Sequence, residues 1–371
     1  MHISLYIGHH KVGSTSLQVY LSQNFNKLLD AGILYPFTEM TGAAAALARS
    51  RRGDTAEVLP VNIREPHSAL AYRMMAEVSD RKVPQQFQML PSSHQMMHAI
   101  RAQVEALQPT GLILCSEAFT NFGSVEPQLV RRLCDQFPKA TFSLYCALRR
   151  PDDYMVSWHG QRIKVSEPVS PLREGAWAHY APTIHLNFRL AVEAWLDLVP
   201  GQHKVLRNYG DILKAGGSEA DYIAHSGLAF PKDMLPAVSA NKSLPLAVTE
   251  IARRGNAVLS TPDAHRLIRF LQAVDGKITL PHNADVEMFG AAHRKNIFNE
   301  FLPIHDWLSR AAGAEAFFPD LNQILECRTM PETEAVRAAL DQLTPEVTAP
   351  LPVSVRDFIA QERARFAPLQ P

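Results

Sequence analysis

The sequence predicts an α/β fold in which three layers are built around a central, mainly parallel sheet. Three observations support this. A short apolar run near the N-terminus leads through a glycine-containing loop into an amphipathic helix, strand and helix signals then alternate over the first 215 residues, and strand signals become scarce beyond about Gly216. Alternation of apolar strands with helices is typical of a parallel sheet that is covered on both faces.

The elements of the first region follow from the spacing of apolar residues. Ile3–Ile7 is a β-rich apolar run, and from Ser14 onward apolar residues recur every three or four positions up to Gly32, which predicts a helix. Four prolines between residues 38 and 91 prevent an assignment there. Further along, the pattern predicts, in order, a strand at 33–35, a helix at 93–107, a strand at 111–117, a helix at 129–137, a strand at 140–149, helices at 152–164 and 186–198, and a strand at 203–209.

The C-terminal part is predicted to be mostly helical. Residues 1–215 would form the α/β core, and residues 216–371 a helical region packed on it, the two making one structural unit. Prolines at 345, 350, 352, 368 and 371 predict a partly mobile tail.

Composition describes a folded protein and restricts its partners. The chain has 371 residues, 46% of them hydrophobic, which is enough for a large core. Lys plus Arg and Asp plus Glu both number 37, so no net field attracts nucleic acid or anionic lipid, and any anion site must be local. The four cysteines are far apart and no apolar run approaches 20 residues. We therefore expect a cytoplasmic protein with no signal segment and no membrane span.

The loop after the first strand has the frame of a phosphate-binding loop. Gly8 and Gly13 are spaced as in Gly-x-x-x-x-Gly-Lys-Ser/Thr, but Ser14 occupies the lysine position and a lysine, Lys11, lies inside the loop instead. Backbone amides and the positive end of the following helix could still hold an anion. The alternative is a structural turn between strand and helix.

The wording of this loop, "HKVGSTS", resembles the 5′-phosphosulfate loop of bacterial sulfotransferases that use 3′-phosphoadenosine 5′-phosphosulfate (PAPS). The resemblance implies that Lys11 contacts the bridging oxygen of the donor, where negative charge grows as the sulfuryl group leaves. It implies no catalytic metal, and 3′,5′-ADP (PAP) as the product. The residues that would hold the 5′-phosphate are Gly13, Ser14, Thr15 and Ser16.

A second motif follows the strand "FSLYCAL". Sulfotransferases carry Arg-x-Pro-x-Asp-x-x-x-Ser at this point, and "RRPDDYMVS" fits every fixed position. By that resemblance Arg149 and Ser157 hold the 3′-phosphate, for which a forked guanidinium is well suited. Arg150 stands at the variable position. The alternative is a solvated basic pair, Arg149 and Arg150, at the end of a strand, with Asp153 an ordinary acid in the first turn of a helix.

Transfer to an alcohol needs a group that accepts the proton of the attacking hydroxyl. The glycosaminoglycan sulfotransferases have a glutamate just beyond the strand that precedes the Arg-x-Pro strand, and Glu117 in "LILCSEAF" resembles it. The alternative for Glu117 is a surface glutamate that opens a helix capped by Ser116. His10 and His9, beside Lys11, are other candidates for the proton acceptor, as is His159.

The resemblance covers roughly residues 1–215, and departures from the family pattern indicate which branch of the family the sequence is nearest to. Ser16 stands where cytosolic small-molecule enzymes have a tryptophan that stacks on adenine, so the likeness is nearer the carbohydrate-acting branch and a saccharide is the preferred acceptor. Trp195 and Tyr209 match a downstream family pattern and are interpreted as packing residues. No convincing Arg-Lys-Gly segment follows in the C-terminal half.

Two other functions remain open at this stage. One is an ATP- or GTP-dependent kinase on the same P-loop type of fold, against which the missing lysine at position 14 counts. The other is a non-catalytic carbohydrate-binding protein that keeps the fold without the chemistry. The oligomeric state is not predicted.

Overall fold

A five-stranded sheet, parallel throughout, lies at the centre of the fold in the computed structural model, which describes residues 1–52, 60–201, 203–236, 243–274 and 276–367. Its strands are β1 (His2–Gly8), β2 (Ile33–Leu34), β3 (Gly111–Cys115), β4 (Thr141–Leu148) and β5 (His203–Asn208). They are ordered β2-β3-β1-β4-β5. A separate two-stranded parallel sheet pairs β6 (Val286–Glu287) with β7 (Met330–Pro331).

Helices make up most of the remaining described chain. The α-helices are α1 (Ser14–Gln23), α2 (Phe25–Asp30), α3 (Met40–Arg52), α4 (Val61–Arg64), α5 (Pro66–Ala76), α6 (Ser93–Leu107), α7 (Phe122–Val125), α8 (Gln128–Cys134), α9 (Pro151–Lys164), α10 (Phe188–Leu198), α11 (Tyr209–Lys214), α12 (Ser218–His225), α13 (Leu246–Val258), α14 (Thr261–Ala273), α15 (Ala291–Ala312), α16 (Glu332–Gln342), α17 (Pro345–Thr348) and α18 (Val353–Phe366). Short 3₁₀ helices lie at Gln85–Phe87, Glu117–Asn121, Leu172–Glu174, Ala176–His179, Asn283–Asp285 and Leu321–Leu325.

The three central strands, β1, β3 and β4, are buried as their apolar runs predict, whereas the edge strand β5 is partly exposed. Every residue of β3 is buried, and β1 and β4 are buried except at their first residues. A strand buried on both faces must be covered by other elements on both sides. The predicted α/β fold with a central parallel sheet is confirmed, its burial is consistent with three layers, and each predicted strand is found within two residues of its expected bounds.

Aromatic side chains hold helices against one face of this sheet. Tyr6 of β1 stacks on Tyr145 of β4 with ring centroids 5.5 Å apart, and Tyr222 of α12 meets Tyr145 edge-on at 5.3 Å. The Tyr145 hydroxyl donates a 2.6 Å hydrogen bond to Asp221, whose carboxylate also accepts from Arg207 at 2.6 Å. The start of α12 is thereby fixed to β4 and β5, near the loop that follows β1.

The strand order creates a place for a ligand beside β1. The chain runs from β1 to β2 and β3 on one side of β1, whereas β4 and β5 lie on the other side. In open parallel sheets, ligands bind at the carboxyl ends of strands where the order reverses in this way. The loop after β1 and the residues after β4 meet this description.

Two compact units divide the described chain. The first contains the five-stranded sheet and comprises Met1–Arg150, Thr183–Ala240 and Ile304–Phe318. The second comprises Pro151–Pro182, Asn241–Pro303 and Pro319–Pro371, and includes α9, α13, α14 and α16 to α18 together with the two-stranded sheet. These ranges alternate along the chain, and the predicted boundary at residue 215 stays a prediction.

Two local predictions were wrong. The helix expected from Ser14 to Gly32 is broken at Asn24, whose amide donates to the carbonyl of Tyr20 at 2.9 Å and whose oxygen accepts from the backbone of Leu235 at 2.7 Å. The segment expected to be a mobile tail forms α17 and α18 up to Phe366, while Pro368 and Pro371 lie outside the described residues.

Candidate functional site

The loop between β1 and α1 is anchored at its first residue. A Cβ atom on Gly8 would lie 2.7 Å from the carbonyl oxygen of Ala147 in β4, so only glycine fits at this close approach. The Gly8 amide donates to the Thr120 hydroxyl at 3.0 Å, and the amide of His9 donates to Ala147 at 2.9 Å. The loop therefore leaves the sheet in a fixed direction.

Two residues of the loop adopt the left-handed backbone conformation. Lys11 has φ 65° and Gly13 has φ 81°. A side chain at Gly13 would also collide with Ser218 of α12, whose hydroxyl donates to the carbonyl of Val12 at 2.8 Å. For lysine this conformation costs about 1–2 kcal/mol, which the surrounding contacts must offset. Strain of this kind is concentrated at functional sites, and here it falls on the predicted donor-binding lysine.

The hydroxyls after Gly13 have carboxylate partners. Ser14 is buried near the Glu117 carboxylate, whose pKa it helps to lower, while Ser16 donates to Glu219 at the start of α12. Thr15 is half-buried. Two of the three hydroxyls predicted to hold a phosphate thus lie beside acidic side chains in this structure. The backbone amides of the first turn of α1 have no partner within the helix, as at any helix N-terminus.

Arg149 lies next to this loop, as expected for the ends of adjacent parallel strands. Its Nη1 is 3.5 Å from the backbone oxygen of Lys11, at the outer limit of a hydrogen bond, and its guanidinium lies over the ring of Tyr209 at 5.4 Å from the centroid. Arg149 is half-buried and Arg150 is only 5% exposed. The alternative of a solvated basic pair does not describe these side chains.

Ser157 belongs to the second unit. It is half-buried on α9, and its predicted action together with Arg149 stays a prediction. The acids in the first turn of α9 are paired within their own unit: Asp152 lies 3.5 Å from Arg294, and Asp153 lies 3.5 Å from Arg328.

Glu117 follows β3 and points inward. It opens a 3₁₀ helix in which the Ser116 hydroxyl accepts from the amide of Ala118 at 3.0 Å, so the cap considered for it does form. However, the Glu117 side chain is only 12% exposed, and its interpretation as a surface residue was wrong. Gln18 of α1 donates to its carboxylate at 2.9 Å, and His10 Nδ1 lies 3.7 Å away.

The environment of Glu117 favours its ionised form. Burial by itself raises the pKa of a carboxyl group, but the neighbouring His10, 3.7 Å away, and the Ser14 hydroxyl lower the pKa of Glu117 below its ordinary value. Glu117 is thus a carboxylate near neutral pH. Lys11, Arg149, His10 and Glu117 all lie at the carboxyl ends of three adjacent strands.

The two remaining histidine candidates are buried elsewhere. His9 is 1% exposed and packs edge-on against Phe188 at 4.1 Å; burial, with the neighbouring His185 and His10, holds its pKa well below the ordinary range. His159 lies in the second unit, where its Nδ1 is 2.9 Å from the Tyr180 hydroxyl and burial lowers its pKa to about 4. Both are neutral at pH 7.

Sequence reasoning missed several residues around the site. Glu65 lies in the proline-rich stretch that was left unassigned, and Glu219 opens a helix more than 200 residues beyond Ser16. The Glu-Pro pair at 65 and 66 was the available signal, since proline in the first turn marks a helix start. Gln18 sits on the predicted helix without any distinguishing pattern.

Comparison with family models, curated proteins and solved structures finds no match to this chain. Within the described ranges, no three or more His, Cys, Asp or Glu side chains are grouped as ligands of a metal ion. None of the helices in that part of the chain is long and apolar enough to cross a bilayer. The functional interpretation therefore rests on the residues of the site.

Proposed function

We propose that this protein is a PAPS-dependent sulfotransferase of the P-loop type, which moves a sulfuryl group to a hydroxyl acceptor. The observation that carries the proposal is the meeting of Lys11, held in a left-handed conformation, with Arg149, 138 residues away along the chain. Each motif of the sequence resemblance brings a basic residue to the carboxyl end of one of two neighbouring strands, β1 and β4. A structural turn has no need of a strained lysine beside an arginine.

Each residue has a definite task in this reaction. The amides after Gly13 hold the 5′-phosphate, and Arg149 binds the 3′-phosphate. As the acceptor oxygen bonds to sulfur, the bond from sulfur to the bridging oxygen breaks, and its electron pair stays on the phosphate. Lys11 stabilises the charge that grows on that oxygen. Glu117 accepts the proton of the acceptor hydroxyl, and His10 keeps Glu117 ionised.

The residues of the site suit such a donor, provided that a serine hydroxyl changes its hydrogen-bond partner. Lys11, the amides of the first turn of α1 and Arg149 are suited to phosphate oxygens. Ser16 donates to Glu219 and Ser14 lies near Glu117 in this structure, so the Ser16 hydroxyl must exchange its partner before it can donate to a phosphate. A saccharide is the proposed acceptor, on the strength of the sequence resemblance alone.

Ligand binding tests the proposal without knowledge of the acceptor. We expect 3′,5′-ADP to raise the melting temperature more than ATP with magnesium does, and more than 5′-AMP, which lacks the 3′-phosphate. Arg149→Met should weaken 3′,5′-ADP binding about 10- to 100-fold, the equivalent of about 1.5–3 kcal/mol for hydrogen bonds to a charged group, and should leave 5′-AMP binding nearly unchanged.

Arg189→Met is the matched control. Arg189 pairs with Glu193 on the exposed surface of α10, so its replacement should leave the 3′,5′-ADP titration unaltered. Equal stabilisation by 3′,5′-ADP and 5′-AMP, or none by either, contradicts the proposal. A larger stabilisation by ATP with magnesium would favour a kinase instead.

A further inference from the structure

Glu65 is a second buried glutamate beside Glu117. It immediately precedes α5, whose first residue is Pro66, and its side chain is 12% exposed, the same value as that of Glu117. Arg64 Nε lies 2.9 Å from its carboxylate. Arg64 and Pro66, its neighbours in sequence, would fit a purely structural helix cap equally well. The residues close to Glu65 in space therefore decide its role.

A chain of hydrogen bonds ties the start of α5 to the turn that carries Glu117. The Ser68 and Ser116 hydroxyls are 2.8 Å apart, and Ser68 also reaches Gln18 at 3.5 Å. Gln18 in turn donates to the Glu117 carboxylate at 2.9 Å. The Ser68 amide donates to the Glu65 carbonyl at 3.2 Å, and Glu117 directly follows Ser116, so the network places the two glutamates in neighbouring turns of the first unit.

The charges around Glu65 do not neutralise this pair fully. Arg64 on its own helix, Glu117 after β3 and His10 in the loop act on it, and the hydroxyls of Tyr35 and Tyr72 feel its charge. Burial, followed by the negative charge of Glu117, raises the pKa of Glu65 to about 7 against the opposing effects of Arg64 and His10. The pair therefore holds one proton below neutral pH and none above it.

We propose that Glu65 is a positioning residue for proton removal, whose negative charge makes the neighbouring Glu117 carboxylate a stronger base. This inference rests on the proposed function, in which Glu117 accepts the proton of the acceptor hydroxyl. When Glu65 ionises, repulsion between the two carboxylates raises the affinity of Glu117 for a proton, and a stronger base removes the hydroxyl proton more readily. The transfer rate should rise as the pH passes through about 7.

Carboxyl NMR of the full chain with ¹³C-labelled glutamate tests the coupling directly. In the wild-type protein, the Glu65 carbon should titrate with a midpoint near pH 7. In Glu117→Gln, the midpoint should move towards the ordinary value for glutamate, because the neighbouring negative charge is gone. An ordinary midpoint in the wild type, or one that Glu117→Gln leaves in place, overturns the proposal whatever the reaction is.

The pH dependence of transfer supplies the second test. Glu65→Gln should remove the rise near pH 7, which leaves a rate roughly three- to tenfold below wild type at pH 8 and similar at pH 5.5. Glu65→Asp should restore the rise, and Glu105→Gln, on the exposed face of α6, should keep it.

The two proposals fail in different ways. If 3′,5′-ADP does not bind, the proposed function fails, whereas the coupling between Glu65 and Glu117 is still decided by NMR. If 3′,5′-ADP binds and transfer occurs, but Glu65→Gln keeps the rise near pH 7, the role of Glu65 is overturned and the proposed function stands.

Discussion

Each of the two compact units buries a pair of glutamates, and the pairs differ in what surrounds them. In the second unit, Glu250 on α13 is 2% exposed and Glu332 at the start of α16 is 4% exposed. Arg253 donates two hydrogen bonds to Glu250, of 2.6 and 2.8 Å. Arg173 contacts Glu332 and lies 3.5 Å from Glu250. Two guanidinium groups thus serve two carboxylates.

The pair in the first unit has less compensation. Glu65 contacts the guanidinium of Arg64, while Glu117 has an amide from Gln18, a hydroxyl from Ser14 and an imidazole at 3.7 Å. It also lies beside a glycine loop with a strained lysine. A buried carboxylate whose oxygens are paired with arginines holds helices together. A carboxylate that accepts hydrogen bonds mainly from neutral donors can still accept a proton from a substrate.

Replacement of one glutamate in each pair by glutamine should give the largest difference in transfer rate. We expect Glu117→Gln to lower the transfer rate about 10²- to 10⁴-fold, because the proton acceptor is lost. Its free energy of unfolding should change by about 1 kcal/mol or less, since glutamine keeps the bond from Gln18. Glu332→Gln should leave transfer unchanged. Rates with a fixed acceptor and urea denaturation check both; a slow Glu332→Gln enzyme would remove the distinction.

Removing a guanidinium should destabilise the second unit strongly. Arg173→Met removes the guanidinium that contacts Glu332, while Glu250 keeps Arg253, and we expect a loss of about 3–5 kcal/mol in the free energy of unfolding. Arg189→Met, which breaks an exposed pair, should cost about 0.5 kcal/mol or less. Urea denaturation measures both. A loss below about 1 kcal/mol for Arg173→Met would mean that the cluster does not join the helices.

The pH dependence of stability should be alike for Glu332 and Glu65. Burial raises the pKa of Glu332, like that of Glu65, from 4.5 to about 7. The folded chain then holds a proton that the unfolded chain has released, so each group lowers stability as the pH rises from about 4.5 to 7. Buried histidines such as His67 and His159 have the opposite dependence in this range, but they are common to all variants.

We therefore predict a difference relative to wild type. The free energy of unfolding of Glu332→Gln, minus that of the wild type, should increase by about 3 kcal/mol between pH 4.5 and 7. Glu65→Gln should show a similar increase and should also change the pH profile of transfer, which Glu332→Gln should not. Denaturation at a series of pH values is the measurement. A flat difference for either variant would show that its carboxyl group has the ordinary pKa of glutamate in the folded chain.

The sequence predicts those parts of the site that depend on nearby residues and on the ends of strands. Glu117, Lys11 and Arg149 each follow an apolar strand, and because parallel strands end at one edge, their proximity could be anticipated. Glu65, Glu219 and Gln18 could not be found this way, because their partners are distant in sequence and the stretch before α5 has no regular spacing. The break at Asn24 has the same cause, since its side chain is held by Leu235.

Glu219, a third carboxylate of the first unit, tests whether a negative charge beside the loop weakens the binding of an anion. Glu219 accepts from Ser16 beside the loop, and its charge opposes an anion there. Glu219→Gln should strengthen 3′,5′-ADP binding about two- to fivefold at low salt, with a smaller gain at high salt. Glu219→Asp should show little change. Weaker binding by the glutamine variant, measured by calorimetry, would mean that the carboxylate contacts the ligand itself.

Relief of backbone strain should change the free energy of unfolding only slightly. It distinguishes a residue with a structural role from one with a functional role. Among the described residues, Lys11 and Gln108 in the first unit and Ser166 in the second lie in the left-handed region without being glycine, Lys11 with φ 65° and Ser166 with φ 61°. Glycine adopts this conformation without a steric penalty but loses more entropy on folding. Lys11→Gly and Ser166→Gly should therefore each stabilise the chain by about 0.5–1 kcal/mol in urea denaturation.

The two glycine variants should differ in activity. Lys11→Gly should lose about 10²- to 10³-fold in transfer rate while it gains stability, because the ammonium that stabilises the leaving oxygen is gone. Ser166→Gly should gain stability and keep its rate. Lys11→Ala controls for the loss of the side chain, because it retains the strained backbone and should be less stable than Lys11→Gly. Equal stability of the alanine and glycine variants would show that the left-handed turn imposes no strain on Lys11, and the fixed position of its ammonium would then need another cause.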